Sequence, residues 1–384
     1  MTQTAKRLLS AFDDRRAADS MRDILRRAGI TIGGDAPWDI QVHDERLYAR
    51  ALRDGTMGVG EAYVEGWWDC QAIDQMVERL TRTRPDLVLR ASWVLVANGI
   101  RSRLFNLQAT RAFEVGERHY DVGNDLYQAM LGPRMVYTCA YWRNADHLDA
   151  AQAAKLDLVC RKIGARPGMR ILHLGCGWGG FAAFAAQNYG ASVVGYTVSR
   201  EQCTWARERY ATLPVEIRLE DYRKATGGYD AVVSIGLMEH VGPRNYRAYM
   251  ELATRCLAPG GTVFVHTIGG QEPRTQIDPW YHKYIFPNAV IPTLGQLTTA
   301  MHDLLVVEDV HNIGPDYDRT LMAWWANFEQ AWSSLREKYG ARFYRMWKFY
   351  LMTSAAQFRA RALNLFQIVA TAVGTKQPPS ARAA

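Results

Sequence analysis

Residues 171–180 read Ile-Leu-His-Leu-Gly-Cys-Gly-Trp-Gly-Gly, an apolar run that passes directly into a glycine-rich turn with a tryptophan inside it. Glycines placed there let the backbone approach a nucleotide-like ligand, whose polar groups meet the amide N–H groups opening the next helix. A tight strand-to-helix turn without a ligand would look similar, but the GxGxGG spacing after an apolar strand favours binding. Five other segments concentrate polar and aromatic chemistry: HYDVGNDLY at 119–127, YTCAYW at 137–142, SIGLMEHVG at 234–242, HTIG at 266–269 and WYHKYIFPN at 280–288. Taken singly, a histidine or glutamate at a strand end is more often structural than catalytic.

The elements that must position these residues follow from hydrophobic period. Over residues 1–90 apolar side chains recur three and four apart in LLSAF, MRDILRRAGI, YARALRDGTMGVGEAYVEGWW and IDQMVERL, with Gly29, Gly55 and Gly66 as stops, which predicts helices. From about 170 the rhythm changes. MRILHLG, ASVVGYT, VEIRLED, YDAVVSIG and GTVFVHTIG are five strand candidates, separated by the helical AAFAAQNYG, EQCTWARERYA and RNYRAYMELATRCL. Such alternation predicts an α/β fold with a doubly wound, mostly parallel sheet covered on both faces. After 275 an aromatic, Pro-broken segment leads into long helices.

The chain has 384 residues, 48% hydrophobic and 22% charged, which excludes a disordered or collagenous protein and suits two domains or one with a large appendage. The formal charge of +7 suits an anionic partner, either nucleic acid or phospholipid. Cys70, Cys139, Cys160, Cys176, Cys203 and Cys256 stand singly, with no CxxC pair, so a metal site is not expected. Asp13 and Asp14 interrupt the amino end before any signal-like run, and Pro287 and Pro292 break the longest uncharged stretch. The expectation is a reduced, cytoplasmic protein.

The glycine loop resembles that of S-adenosylmethionine (AdoMet)-dependent methyltransferases of the Rossmann-like class I fold. The acidic residue that such enzymes usually carry after the second strand is replaced by Thr197 and Gln202, which can hydrogen-bond a ribose without charge. With the five other segments, the chain is similar over nearly its whole length to the cyclopropane-fatty-acyl-phospholipid synthases, relatives of the mycolic-acid cyclopropane synthases. The resemblance implies that a cis alkene in a phospholipid acyl chain takes the sulfonium methyl, leaving a carbocation, and that a base then removes a proton as the ring closes. Aromatic faces stabilise such a cation without trapping it, by roughly 2 kcal/mol when desolvated. By the same resemblance Tyr137, Thr138, Gly175, Cys176, Gly177, Gly179, Thr197, Gln202, Asp221 and Tyr222 bind AdoMet. A bicarbonate ion, the base, is held by Cys139, Glu239, His266, Ile268 and Tyr317. His266, Tyr317 and the backbone N–H groups of Cys139 and Ile268 would donate to it, and Glu239 must accept its O–H, be protonated, or be offset by His266. Ser354 stands where the family usually has cysteine, so no thiolate chemistry can rest there.

The resemblance divides the chain into a helical region at 1–95, a linker at 96–118 and a catalytic domain at 119–384. Its helical region is expected to dock on the membrane or against the second subunit of a homodimer, with the enzyme peripheral to the inner face of the bacterial membrane. Trp324, Trp325, Phe328 and Trp332, then Phe343, Tyr344, Trp347, Phe349 and Tyr350 interleaved with Arg336, Lys338, Arg342, Arg345 and Lys348, form either an interfacial surface or an amphipathic core helix. Three rivals stay open: methyl transfer to an amine or to an alkene without ring closure, a nucleic-acid methyltransferase, for which no binding motif is found, and a silent AdoMet-binding scaffold.

Overall fold

The structure, a computed structural model, describes residues 18–83 and 123–378. The linker at 96–118, the segment LLSAF and most of HYDVGN lie outside the described residues. A helix over 18–27 precedes α1 (Arg46–Val64) and α2 (Ile73–Arg82), with the two-residue strands β1 (Gln41–Val42) and β2 (Trp68–Asp69) paired antiparallel. Gly55 does not end α1 but kinks it, at φ 59° and ψ −134°. The remainder runs α3 (Asn124–Leu131), α4 (Leu148–Lys162), β3 (Arg170–Leu174), α5 (Gly180–Tyr189), β4 (Ser192–Thr197), α6 (Arg200–Arg209), β5 (Val215–Leu219) and β6 (Tyr229–Ile235). Then come α7 (Met238–Val241), α8 (Tyr246–Arg255), β7 (Leu257–Gly270), α9 (Pro279–Tyr284), α10 (Leu294–Met301), β8 (Leu305–Asn312), α11 (Gly314–Arg359) and β9 (Leu363–Ala372).

β3 to β9 form one seven-stranded sheet in the order β5-β4-β3-β6-β7-β9-β8. The five expected strands pair in parallel; β9 inserts antiparallel between β7 and β8. Alternate side chains on each strand enter opposite cores. Ile171, Val193, Val233 and Phe264 pack with Leu156, Val159 and Phe181, whereas Leu172, Val232, Val263 and Val265 pack with Tyr249, Met250 and Leu297. Chain order reverses between β3 and β6, which opens a crevice at their carboxyl ends, where ligands of such folds bind.

The aromatic runs near the carboxyl end are core. Trp324, Phe328, Trp347, Phe349 and Tyr350 are buried, and Arg345 turns inward to donate to Tyr63 O and Trp68 O at 2.6 and 2.9 Å. α11 breaks once, at Gly340 (φ 74°, ψ 164°), and its second half folds back on the first, with the Tyr344 ring against Trp325, Phe328 and Trp332. The amino-terminal helices share a continuous apolar core with α11 and with Trp280 of α9. Polar struts accompany that packing: Arg359 reaches Asp74 of α2 and Asp318 at 2.7 and 2.8 Å, and Tyr284 donates to Glu61 of α1 at 2.8 Å. Among the described residues no helix is long and apolar enough to cross a membrane.

Candidate active site

The glycine loop takes its shape from positive φ at Gly175 (72°), Gly177 (55°) and Gly179 (77°), which other residues reach only with strain. Two further glycines let the loop seat. A Cβ at Gly195 of β4 would stand 2.8 Å from Cys176 Sγ, and one at Gly180 would stand 2.5 Å from Arg134 O. Trp178 anchors the loop from inside: its Nε1–H donates to Asn124 Oδ1 at 2.9 Å, and its ring lies 4.9 Å from Tyr127. The loop therefore rests on the HYDVGNDLY segment, a role for Trp178 beyond shape.

Beside it lies a cavity of about 240 Å³ whose wall includes Tyr137, Thr138, Gly175, Cys176, Gly177, Thr197, Gln202, Asp221 and Tyr222. Gly179, the remaining member of the expected AdoMet set, is off this wall; its Cβ position faces the Tyr210 ring at 3.3 Å. At one end Thr197 Oγ1 donates to Gln202 Oε1 at 2.9 Å, and Ser199 caps α6. Asp221 caps the short turn 222–224 and accepts two bonds from the Arg223 guanidinium, at 2.9 and 2.6 Å. Burial opposes ionisation of Asp221, but the Arg223 hydrogen bonds prevail and hold its carboxyl below the usual range. Asp221 is thus both a turn cap and part of the wall.

The five residues expected to hold the anion are adjacent to this wall but not on it. Glu239 sits on α7, directly after the Gly236 turn, where φ is 74° and a Cβ would stand 2.9 Å from Thr138 Cγ2. Its Oε1 accepts the Ile268 N–H at 2.6 Å, while Oε2 is buried without a hydrogen-bond partner. The Ile268 N–H is therefore engaged by Glu239, contrary to the expectation that it faces an anion. Burial pushes the Glu239 carboxyl up to about 7, against the lowering effect of the Ile268 N–H. His266, two residues before Ile268 on β7, has Nδ1 3.4 Å from the side-chain amide of Gln367. Its Nε2 is buried with no hydrogen-bond partner. Burial holds this histidine well below its ordinary value, so it stays neutral and cannot offset the charge of Glu239. A protonated Glu239 is the arrangement that burial favours.

Cys139 meets α11 at Thr320. The Thr320 hydroxyl lies 4.0 Å from Cys139 Sγ, accepts from Ala140 N–H and Trp142 Nε1–H at 3.1 and 3.0 Å, and donates to Asp316 O at 2.7 Å. Tyr317, nearly one turn earlier on α11, stacks on Phe358 with ring centres 4.5 Å apart. Burial raises the Cys139 thiol well above its usual value, so it is no nucleophile. Aromatic rings connect this region to the glycine loop: Tyr137 lies 5.3 Å from Tyr127 and 5.2 Å from Trp324, and its hydroxyl is 2.7 Å from that of Tyr350. Ser354 and Thr353 place their hydroxyls 2.9 and 2.7 Å from that of Tyr281. Ser354 therefore fills its position as a hydrogen-bonding group.

Sequence reasoning missed Thr320, Gln367, His173 and Lys155. Lys155 is fully buried on α4 and donates to Thr138 Oγ1 at 3.0 Å. Its signal was a lysine at a core position, four residues after Ala151 and four before Val159, both buried.

A family model described as mycolic acid cyclopropane synthetase matches residues 107–368. The cyclopropane-fatty-acyl-phospholipid synthase of Escherichia coli K12 is 45% identical over 348 residues, 90% of this chain and 91% of that protein. Among solved structures, a cyclopropane synthase from Mycobacterium tuberculosis matches with a TM-score of 0.64 at 27% identity, over 68% of this chain and 98% of that one. A mycolic acid cyclopropane synthase complexed with SAH and CTAB matches at 0.62 and 29% identity, over 67% of this chain and 97% of that one.

Proposed function

The chain belongs to the mycolic acid cyclopropane synthetase family, and we propose that it closes cyclopropane rings on cis double bonds of phospholipid acyl chains, with AdoMet as carbon donor and a bound bicarbonate as base. When bound, AdoMet supplies the carbon that becomes the ring methylene and bicarbonate supplies the acceptor for the proton that leaves it. The observation that carries the reading is a pair of orphaned buried atoms, Glu239 Oε2 and His266 Nε2. A buried polar atom without a partner costs about 1–3 kcal/mol, so each of the two suits a polar ligand that satisfies it. A neutral His266 protonated at Nε2 donates there, and a protonated Glu239 donates through Oε2; two neutral donors suit an anion better than a carboxylate would.

The remaining residues orient and exclude. Thr197, Gln202, Asp221 and Tyr222 line the end of the cavity suited to the nucleoside, and the positive-φ glycines bring the backbone against it. Tyr137, Trp324, Tyr317 and Tyr350 form one ring cluster, whose π faces would attract developing positive charge on an acyl chain while offering no nucleophile to trap it. The high thiol pKa at Cys139 serves the same end. The protein works as a homodimer on the inner face of the membrane, its +7 charge favouring anionic phospholipid and the region at 1–95 docking on the bilayer or on the second subunit.

Turnover on cis-unsaturated phospholipid vesicles in carbonate-free buffer, with and without added bicarbonate, tests the base. The reading expects activity to fall on depletion and to return on addition. Full activity without bicarbonate would leave Glu239 itself as the base.

A further inference from the structure

Lys155 occupies an unusual place. It is fully buried, it lines the cavity beside the glycine loop, and its hydrogen bond goes to the neutral hydroxyl of Thr138. Among the described residues it has no carboxylate partner, whereas the other basic side chain on the wall with a long reach, Arg223, is tied to Asp221. An ammonium has three donors, and a buried one costs several kcal/mol unless it is paired. Its neighbours share the deficiency. His173 on β3 presents Nδ1 and Nε2 to the same wall with no hydrogen-bond partner for either.

The cavity has two chemical ends. Thr197, Gln202, Asp221 and Tyr222 belong to β4, the first turn of α6 and the turn after β5; Thr138, Lys155 and His173 lie toward β3, β6 and α4, with the glycine loop between. If the first end takes the nucleoside, the amino-acid tail of AdoMet extends to the second. That tail carries a carboxylate, and it meets there a buried cation lacking an anion. We propose that Lys155 binds the carboxylate of the methionine moiety of AdoMet, with the Thr138 hydroxyl held beside it. This rests on the AdoMet reading of the cavity. Burial pushes the Lys155 ammonium down to about 7, so the free protein holds this charge weakly and a bound carboxylate stabilises it. The facing groups are Cys139, kept as a thiol by burial, and His173 and His266, kept neutral by burial, so none of them supplies a competing anion.

The test is binding by calorimetry of two probes that differ only in the carboxylate: S-adenosylhomocysteine and its decarboxylated analogue, S-adenosyl-3-thiopropylamine. Lys155→Met replaces a buried cation with an apolar side chain of similar length and leaves no new unpaired charge. The wild type should prefer S-adenosylhomocysteine, and K155M should lose roughly ten- to hundredfold of that affinity while binding the analogue unchanged or better. Retained binding of the analogue also shows that the variant is folded. Equal loss for both probes, or undiminished S-adenosylhomocysteine binding, overturns the assignment. So does a shift confined to the bicarbonate requirement of turnover, because Lys155 would then serve that anion. If the wild type binds neither probe, it is the AdoMet reading that fails.

Discussion

Glu239→Gln separates chemistry from architecture at the proposed anion site. Glutamine keeps an Oε1 for the Ile268 N–H, so the α7–β7 junction stays tied, but it cannot gain or lose a proton. The wild-type carboxyl rises from 4.5 in the unfolded chain to about 7 when folded, because burial disfavours the carboxylate. Between those values the folded state binds the extra proton, so Glu239 contributes stability that is complete below pH 4.5 and is lost as pH rises through 7. The shift is worth roughly 3 kcal/mol at about 1.4 kcal/mol per unit. Urea unfolding of both proteins in carbonate-free buffer at pH 5 and pH 8 reads this directly. The variant should gain on the wild type by up to roughly 3 kcal/mol between the two pH values. Its AdoMet affinity should be unchanged, and turnover on vesicles should fall roughly 100-fold or more, because an amide can hydrogen-bond the bound bicarbonate but cannot exchange a proton with it. An unfolding difference independent of pH would refute the reasoning, since Glu239 would then not titrate near neutrality. Unchanged turnover would remove it from the reaction.

The acid limb has the opposite sign. Burial holds His173 at about 3, His240 at about 4 and His266 well below 6.5, so these histidines should take up protons on unfolding as pH falls from 6.5 to 4, outweighing the one that Glu239 releases, and melting temperature should drop there; a flat profile over that range would contradict their neutral burial. Gly195→Ala drives a methyl group against Cys176 Sγ and should cost about 1–3 kcal/mol and weaken S-adenosylhomocysteine binding, with partial rescue by adding Cys176→Gly. Arg359→Met leaves Asp74 and Asp318 without their partner; allowing for partial exposure, it should cost about 1–3 kcal/mol. Hydrogen exchange should then show α2 losing protection before the sheet.

What the sequence disclosed follows from local pattern. The five parallel strands were legible because each is a short apolar run bounded by helix, and the glycine loop because its positive φ values admit few other residues. β8 and β9 escaped because α11 separates them in the chain and their pairing is entirely long-range, although LNLFQIVATA is itself an apolar, β-branched run. The aromatic and basic stretch of α11 was ambiguous for a related reason. Only the packing of α1 and α2 against it decides that Trp347 and Phe349 are core and that Arg345 points inward. Thr320 and Gln367 carry no motif; they matter because tertiary contacts bring them to Cys139 and His266. Lys155 did break the apolar stripe of its helix, and such a violation at a core position is the kind of signal that marks a functional site.

Ring closure on a lipid alkene is the step that distinguishes the proposed activity from simple methyl transfer. Purified protein incubated with AdoMet, bicarbonate and vesicles of cis-monounsaturated phospholipid, followed by proton NMR of the extracted lipid, tests it most directly. Ring closure should give loss of vinyl protons and the appearance of upfield cyclopropane protons. A gain of one carbon with vinyl or exomethylene protons retained would mean methyl transfer without closure, and would contradict it.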